Sequence, residues 1–377
     1  MTVTRGDPSV TGAWTPGDPV GDRQFLDVGD LELERGGLLP GVQVAYETWG
    51  KLNSAGDNAV LVEHALTGDS HVVGPVGPGH PSPGWWKGLV GLGKPLDTER
   101  WFVVATNVLG GCQGTTGPAT PTSDGRAWGS RFPFITVRDQ VAAEARVADA
   151  LGIHRWAALL GGSMGGMRAL EWAVTCPERV DGLLLLASTA HATADQIAWA
   201  QPQLLAIRGD VAFRAGDYYD AASGPDMGLG IARRIAHVTY RSGLELDERF
   251  GRQTQGGEQP LGAGGRYAVE SYLDHHAGKL SRRFDANSYV VLTEAMSSHD
   301  VGRDRGGEAA ALARVRARTV VVGVDSDRLY PVRLSTELAA GIPGASLRTI
   351  SSPHGHDGFL VEVDQVGILL GELLSGR

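Results

Sequence analysis

Two cysteines, Cys112 and Cys176, are too few for a disulfide framework in a chain of 377 residues. Neither has an activating partner nearby in sequence, so each reads as a small buried residue rather than a nucleophile. No Cys/His spacing fits a zinc site. His275 and His276 are adjacent, and on a helix they would point in different directions, which makes them a poor ligand pair. No metal is therefore expected. No apolar run approaches the roughly 18 residues of a transmembrane helix. Positive charge is also scarce: the formal net charge is −9 and no basic run exceeds a few residues. That excludes nucleic acid and anionic membrane as expected partners. The stretch from Met1 to Gly21 lacks the basic-then-apolar order of a signal peptide. Rich in Gly, Pro, Thr and Asp, it reads as a flexible N-terminal tail, 1–21. A soluble, cytoplasmic protein is expected.

What the chain has in excess is glycine, 54 residues, about twice the usual share. Without a collagen period this means many tight turns. One of them is Gly161-Gly162-Ser163-Met164-Gly165, a match to G-x-S-x-G, the turn that presents a nucleophilic serine in α/β-hydrolase enzymes. Trp156-Ala-Ala-Leu-Leu160 before it reads as a buried strand, and Met167 to Cys176 after it reads as a helix. Glycines must flank the serine there so that the two backbones can pass. The helix N-terminus then favours developing negative charge beside the hydroxyl. The plain alternative, a glycine-rich loop with an incidental serine, lacks this strand and helix context.

In that fold an acid and a histidine follow the serine in chain order. Thr319-Val-Val-Val-Gly-Val324 is a buried-strand pattern. It leads into Asp325 and Asp327, at the sheet edge where α/β sites form. Pro331 fits a turn closing behind Asp327, which favours Asp327. One strand later, Ser346-Leu-Arg-Thr-Ile350 leads to a loop carrying His354 and His356. Spacing does not separate the two; a helix starting near Phe359 puts His356 closer to a rigid element. The histidine would act as general base and then general acid, and the aspartate would fix its tautomer. Acyl transfer also needs an oxyanion hole. One donor is the backbone N–H of Met164, and the other is expected from the loop after the Asn58–Glu63 strand, at Leu66.

Alternating patterns at Leu31–Glu34 and Val42–Thr48 read as antiparallel strands, and Trp101–Thr106 as another buried strand. The glycine-rich loop from Asn107 to Pro118 has no P-loop lysine, which argues against a nucleotide-phosphate site. Val137 to Leu151 is an amphipathic helix, and Val180 to Ser188 is the strand after the nucleophile helix. The strand alternation then stops until Thr319, and Ala194–Arg208 and Leu229–Tyr240 read as helices. The expected architecture is an α/β-hydrolase fold with a mostly parallel sheet. Its core spans 22–188 and 319–377, and a helical lid is inserted at 189–318, excluding water from the serine.

Taken in order, Ala65-Leu-Thr-Gly-Asp-Ser-His71, Gly161-Gly-Ser-Met-Gly-Gly166, Ser326-Asp-Arg-Leu-Tyr-Pro331 and Gly355-His-Asp357 resemble the homoserine O-acetyltransferase family. Ala232–Tyr240 and Arg282–Tyr289 resemble it too, and the likeness runs from about Leu31 to the C-terminus. The resemblance implies an acyltransferase of methionine biosynthesis that moves acetyl from acetyl-CoA, as co-substrate, to the hydroxyl of L-homoserine. No other cofactor is implied. It selects Ser163, Asp327 and His356 as the triad. It assigns Arg233 and Asp357 to the amino acid, and implies a homodimer joined through the lid. A planar guanidinium suits the homoserine carboxylate, and a carboxylate suits its ammonium. Against these stand a lid surface charge for Arg233, since Arg234 is adjacent, and a helix N-cap for Asp357.

Three functions compete on this reading. One is the acetyltransferase. Another is a related enzyme with a succinyl donor or a serine acceptor, or a serine esterase in which water takes the acyl group. Fold and triad do not separate these. The third, an inert binding protein, conflicts with the intact serine, acid and histidine.

Overall fold

The structure is a computed structural model and describes residues 10–261 and 264–375. The chain opens with two long strands, β1 (Gln24–Glu32) and β2 (Leu38–Trp49), followed by β3 (Ala59–Glu63). Two short strands, β4 (Val90–Gly91) and β5 (Leu96–Asp97), pair with each other, and β6 (Phe102–Thr106) and α1 (Val137–Ala150) follow. Next come β7 (Ala158–Gly162), α2 (Met164–Thr175) and β8 (Gly182–Leu186). The region up to residue 317 is then helical: α3 (Ala194–Arg208), α4 (Asp226–Tyr240), α5 (Gly243–Phe250), α6 (Ala268–Ser281), α7 (Ala286–Ser297) and α8 (Glu308–Leu312). The sheet resumes with β9 (Arg318–Val324), α9 (Val332–Gly341) and β10 (Ser346–Ile350), and the chain ends in α10 (Gly358–Val361) and α11 (Val363–Ser375).

One eight-stranded sheet runs in the order β1-β2-β6-β3-β7-β8-β9-β10. The pairs β1/β2 and β2/β6 are antiparallel, and from β6 onward every pairing is parallel. The apolar runs of the parallel strands follow from burial on both faces. Val60, Leu160, Leu184 and Val322 join one core cluster, while Leu61, Leu159, Leu185 and Val321 join the other. Because these strands are parallel, the loops after β3, β7, β9 and β10 leave the sheet at the same edge, which is where α/β sites form. Those four loops, with the first turn of α2, carry Leu66, Ser163, Met164, Asp327, His356 and Asp357, whereas Arg233 lies on α4.

The strand and helix on either side of Ser163 differ in extent from the sequence expectation. The strand continues through Gly161 and Gly162, which pair with Leu185 and Leu186. The helix begins at once, at Met164. Apolar patterning stops at Leu160, and it carries no signal of extended glycines.

The expectation of a flexible tail over 1–21 is corrected for the described part. Residues 1–9 lie outside the described residues. From residue 10 onward the segment is docked. The Thr11 hydroxyl donates to Asp285 at 2.8 Å, Gly12 N–H to the Phe284 carbonyl at 3.3 Å, and Trp14 N–H to the Cys112 carbonyl at 2.9 Å. Ala13 is buried in the helical region's core, and the Trp14 ring packs on Phe25 at 4.8 Å. Composition missed this because a few apolar anchors and backbone bonds suffice to hold a polar segment. Among the described residues no helix is long and apolar enough to cross a membrane.

The helices between β8 and β9 pack on one another, α3 on α4 and α7, and α4 on α6. Their apolar cluster includes Ile207, Leu229, Phe284 and Tyr289, and reaches down to Leu66 and Met164. Buried Asp285 ties the layer together. It accepts from Tyr218 at 2.6 Å, Tyr219 at 3.0 Å and Ser288 N–H at 2.9 Å as well as from Thr11.

Candidate active site

Ser163 sits at φ 56° and ψ −122°, between β7 and α2. Non-glycine residues seldom adopt a positive φ, and its strain is sustained only where the surroundings over-determine it. Here they do. The Ser163 N–H donates to the Leu186 carbonyl at 3.0 Å, and its carbonyl accepts from Met167 N–H at 3.1 Å and the Ser188 hydroxyl at 3.1 Å. A Cβ on Gly165 would lie 2.1 Å from the Glu63 carbonyl oxygen, and one on Gly162 would lie 2.2 Å from the Phe359 ring. The glycines of the motif are therefore set by close approach.

The His356 Nδ1 lies 2.6 Å from Asp327 Oδ2, and both side chains are buried. The other Asp327 oxygen accepts the N–H groups of Leu329 and Tyr330, each at 2.8 Å. A carboxylate so held keeps the imidazole in one tautomer, with its proton on Nδ1. The His356 Nε2 is buried and has no hydrogen-bond partner among the described residues. It is the lone pair available to Ser163, which lines the same cavity. Of the competing residues, Asp325 accepts from Ser352 N–H at 3.0 Å, and His354 Nδ1 faces Arg241 at 3.1 Å. Neither joins Ser163.

The cavity measures about 220 Å³ and is lined by Ser163, His356, Leu66, Arg233, Tyr240 and Asp357, among others. Met164 is buried beneath it at the start of α2, directly after Ser163. The Arg233 guanidinium packs over the Tyr240 ring at 5.7 Å and donates to Thr67 Oγ1 at 3.3 Å. Its Nε is buried without a partner, whereas adjacent Arg234 is paired with Asp274 at 2.6 Å. Asp357 precedes α10 but makes no side-chain cap bond there; one of its oxygens meets Arg241 at 3.2 Å.

Sequence reasoning missed three features. Tyr330 is fully buried and stacks on His356 at 4.8 Å and 18°. It lay inside the Asp327–Pro331 motif, and its aromatic ring was the signal. Arg241 binds Glu245 through two bonds of 3.1 and 2.7 Å and holds both Asp357 and His354. Burial works against the Arg241 charge, but its bonds to Glu245 and the charge of Asp357 raise its pKa. His64, beside the Leu66 loop, is buried and accepts the Val108 N–H at 3.0 Å. Burial, then the charge of Arg168, holds its pKa down to about 3, so it is neutral.

Neither cysteine fits a nucleophile's role. Burial pushes the thiols of Cys112 and Cys176 up, away from the reactive thiolate. Among the described residues, Asp22, Glu47, His71 and His80 come close enough together to suggest a metal. His71 Nδ1 meets Glu47 at 2.9 Å and its Nε2 meets the Pro75 carbonyl at 3.2 Å. Burial opposes its charge, yet the Glu47 carboxylate raises its pKa. A ring that donates from both nitrogens has no lone pair for a metal. His80 Nε2 already accepts the Asp22 N–H at 2.9 Å. The rings of His275 and His276 stand at 88° to each other and do not converge.

A family model described as "alpha/beta hydrolase fold" matches residues 58–363. Homoserine O-acetyltransferase of Thermobifida fusca is 66% identical over 368 residues, covering 97% of this chain and 97% of the relative. Among solved structures, homoserine O-acetyltransferase from Bacillus anthracis superposes with a TM-score of 0.86 at 25% identity, covering 93% of this chain and 97% of that one. Esterase E22 superposes with a TM-score of 0.85 at 25% identity, covering 93% and 99%.

The geometry around Ser163 predicts its reactivity toward a serine-directed fluorophosphonate, read by mass spectrometry. Ser163 should carry the label. His356→Ala should slow labelling by several orders of magnitude, as loss of a triad base does, while His354→Ala should slow it far less. Label on Cys112, or equal collapse of both variants, would contradict the assignment.

Proposed function

We propose roles for these residues from one premise: the chain belongs to the homoserine O-acetyltransferase family. The protein is an acyltransferase that moves acetyl from acetyl-CoA to the hydroxyl of L-homoserine, giving O-acetyl-L-homoserine for methionine biosynthesis. The observation that carries the residue assignments is one cavity wall. A serine on a strained turn, a histidine backed by aspartate and an arginine with no carboxylate partner among the described residues all face the same space.

The reaction has two halves. The Ser163 hydroxyl attacks the thioester carbonyl while His356 Nε2 takes its proton. Negative charge develops on the carbonyl oxygen and meets the backbone N–H groups of Leu66 and Met164. The C–S bond breaks, His356 returns the proton to the leaving thiolate, and CoA departs. The homoserine hydroxyl then attacks the acetyl-serine ester, giving its proton to His356. The tetrahedral intermediate collapses, Ser163 regains the proton, and O-acetylhomoserine leaves. Asp327 keeps His356 in the required tautomer throughout and stabilises the imidazolium.

Arg233 holds the homoserine carboxylate and Asp357 its ammonium. The core is 22–188 with 319–377, and the helical segment 189–318 acts as a lid that keeps water from the acyl-enzyme. That exclusion separates transferase from hydrolase. The likeness to an esterase makes hydrolysis the second reading, since the same triad serves both outcomes. The lid also supplies a dimer surface: Val211, Met227 and Ile231 are exposed apolar side chains on it. Exposed apolar patches of this kind mark association sites. A homodimer joined there, working in the cytoplasm, completes the reading.

Acetyl-CoA and succinyl-CoA, each crossed with homoserine and serine, form the direct assay. Acetylhomoserine should dominate, and thiol release should depend on homoserine. If thiol release is as fast without homoserine and no acetylhomoserine forms, the hydrolase reading replaces this one. In Arg233→Ala, saturating acetyl-CoA should still give a burst of CoA, because that half needs no amino acid. Loss of one partner of a charged, partly buried pair costs about 2–5 kcal/mol. The kcat/KM for homoserine should therefore fall roughly 30-fold or more. Equal use of homoserine by native protein and variant would reduce Arg233 to a lid surface charge. Light scattering on the eluting protein should give twice the chain mass, and Met227→Asp with Ile231→Asp should give one chain mass. A native monomer would overturn the dimer.

A further inference from the structure

The loop after β3 brings Leu66 to the cavity of Ser163, and the carbonyl groups of that loop are held one by one. The Arg168 guanidinium donates to the His64 carbonyl at 2.8 Å, and the Arg283 guanidinium to the Thr67 carbonyl at 2.7 Å. The Ala65 carbonyl is engaged twice, by the Gly68 N–H at 2.9 Å and by Nδ1 of the His64 ring at 2.8 Å. The Ala65 carbonyl and the Leu66 N–H are the two ends of one peptide group. In a trans peptide they point in opposite directions, so fixing the carbonyl aims the N–H. Among the described residues that N–H has no acceptor.

The partners of His64 determine its tautomer. Nε2 faces the Val108 N–H at 3.0 Å, and a backbone N–H can only donate. Nε2 is therefore the lone pair, and Nδ1 carries the proton that goes to the Ala65 carbonyl. An imidazolium would set a second N–H against that of Val108. Burial, then the charge of Arg168, keeps the ring neutral by holding its pKa down to about 3. The ring is fully enclosed, and Gly68 closes over it: a Cβ there would lie 2.7 Å from the His64 Cβ.

We propose that His64 is a positioning residue for the reaction: through the Ala65 carbonyl it aims and polarises the Leu66 N–H that meets the developing oxyanion. The inference rests on the proposed acyl transfer through Ser163 and adds to it a residue that never touches substrate. A hydrogen bond to a peptide carbonyl draws electron density from the peptide nitrogen and strengthens its N–H as a donor. The gain grows as the acyl oxygen takes on charge, so it is larger in the transition state than in the ground state. His64 exchanges no proton with the ester, because its one lone pair is engaged by Val108. The plain alternative makes His64 a fastener between two loops, in which the Val108 bond is the one that matters.

Two substitutions separate these roles. His64→Gln puts its side-chain oxygen where Nε2 stood and keeps the Val108 bond, but it has no donor at the Nδ1 position. His64→Asn does the reverse, with an amide N–H near Nδ1 and no acceptor for Val108. The readout is acylation of Ser163 by p-nitrophenyl acetate, which needs neither CoA nor homoserine. His64→Gln should slow it about tenfold or more, part of the loss seen when an oxyanion donor is removed outright. His64→Asn should restore most of that rate. The carbonyl stretch of isotope-labelled acetyl-Ser163 should rise in His64→Gln and stay near the native value in His64→Asn, since a mere fastener does not set the polarisation of the ester. The native protein gives a reading that needs no folded variant. With isotope-labelled histidine, the His64 Nδ1 proton should move downfield when a trifluoromethyl ketone forms a tetrahedral adduct on Ser163. An equal rate loss in both variants, a loss confined to His64→Asn, a carbonyl stretch unmoved in His64→Gln, or an unmoved Nδ1 proton each overturns the proposal. If the native protein makes no acetylhomoserine but shows the expected pattern, the acetyltransferase reading fails and the role of His64 stands.

Discussion

The chain must turn from β7 into α2 at Ser163, and it does so with the serine backbone at φ 56°. That turn is possible because the α2 backbone comes against the end of β3, where Gly165 meets the Glu63 carbonyl. Met164, at the start of α2, shares an apolar cluster with Leu66. Gly162 lets the Phe359 ring lie on the turn, and that ring stands edge-on to His356 at 5.5 Å. Ser163 and His356 are therefore positioned by one packing contact as well as by the sheet. A methyl group at either glycine would separate parts that have to meet.

Charge holds the same region from behind. Arg168 on α2 is fully buried. It bonds Glu144 of α1 at 2.6 Å and the His64 carbonyl at 2.8 Å, and lies 3.3 Å from Glu63. Glu144 also accepts the Trp172 indole N–H at 2.9 Å. Burial, then the charge of Glu144, raises the Glu63 pKa well above its ordinary value, and Arg168–Glu144 is the shorter of the two ion pairs. Breaking such a pair from one side generally costs about 3–5 kcal/mol. On the opposite side the helical layer grips the histidine loop. The Ser242 hydroxyl donates to the Pro353 carbonyl at 2.5 Å, and Arg241 spans Glu245, Asp357 and His354. In the proposed mechanism the acceptor site is thus built jointly by the lid and the loop that carries the base.

Much of this was legible because the sequence states it redundantly. The β-branched run ending at Val324 and the apolar run ending at Leu186 are strands buried on both faces, and their composition says so. The motif around Ser163 announced its turn, although it hid the length of β7, since extended glycines carry no apolar signal. His354 and His356 lie two residues apart, and spacing did not choose between them; Asp327 does, by meeting His356 at 2.6 Å. Arg233 and Arg234 were equivalent in sequence; the place of Arg233 on the cavity wall and the Asp274 partner of Arg234 distinguish them. The docking of residues 10–21 was not legible, because its bonds run to Cys112, Phe284 and Asp285, all distant in sequence.

The central claim is that acetyl passes through Ser163. Its most direct test is the intact mass of the protein after acetyl-CoA alone, followed by a homoserine chase. The account predicts one added acetyl group, mapped to Ser163 and absent in Ser163→Ala. It also predicts that homoserine discharges the group as O-acetylhomoserine at the rate of steady-state turnover. Turnover without any acetylated protein, or acetyl on another residue that discharges at the catalytic rate, would contradict it.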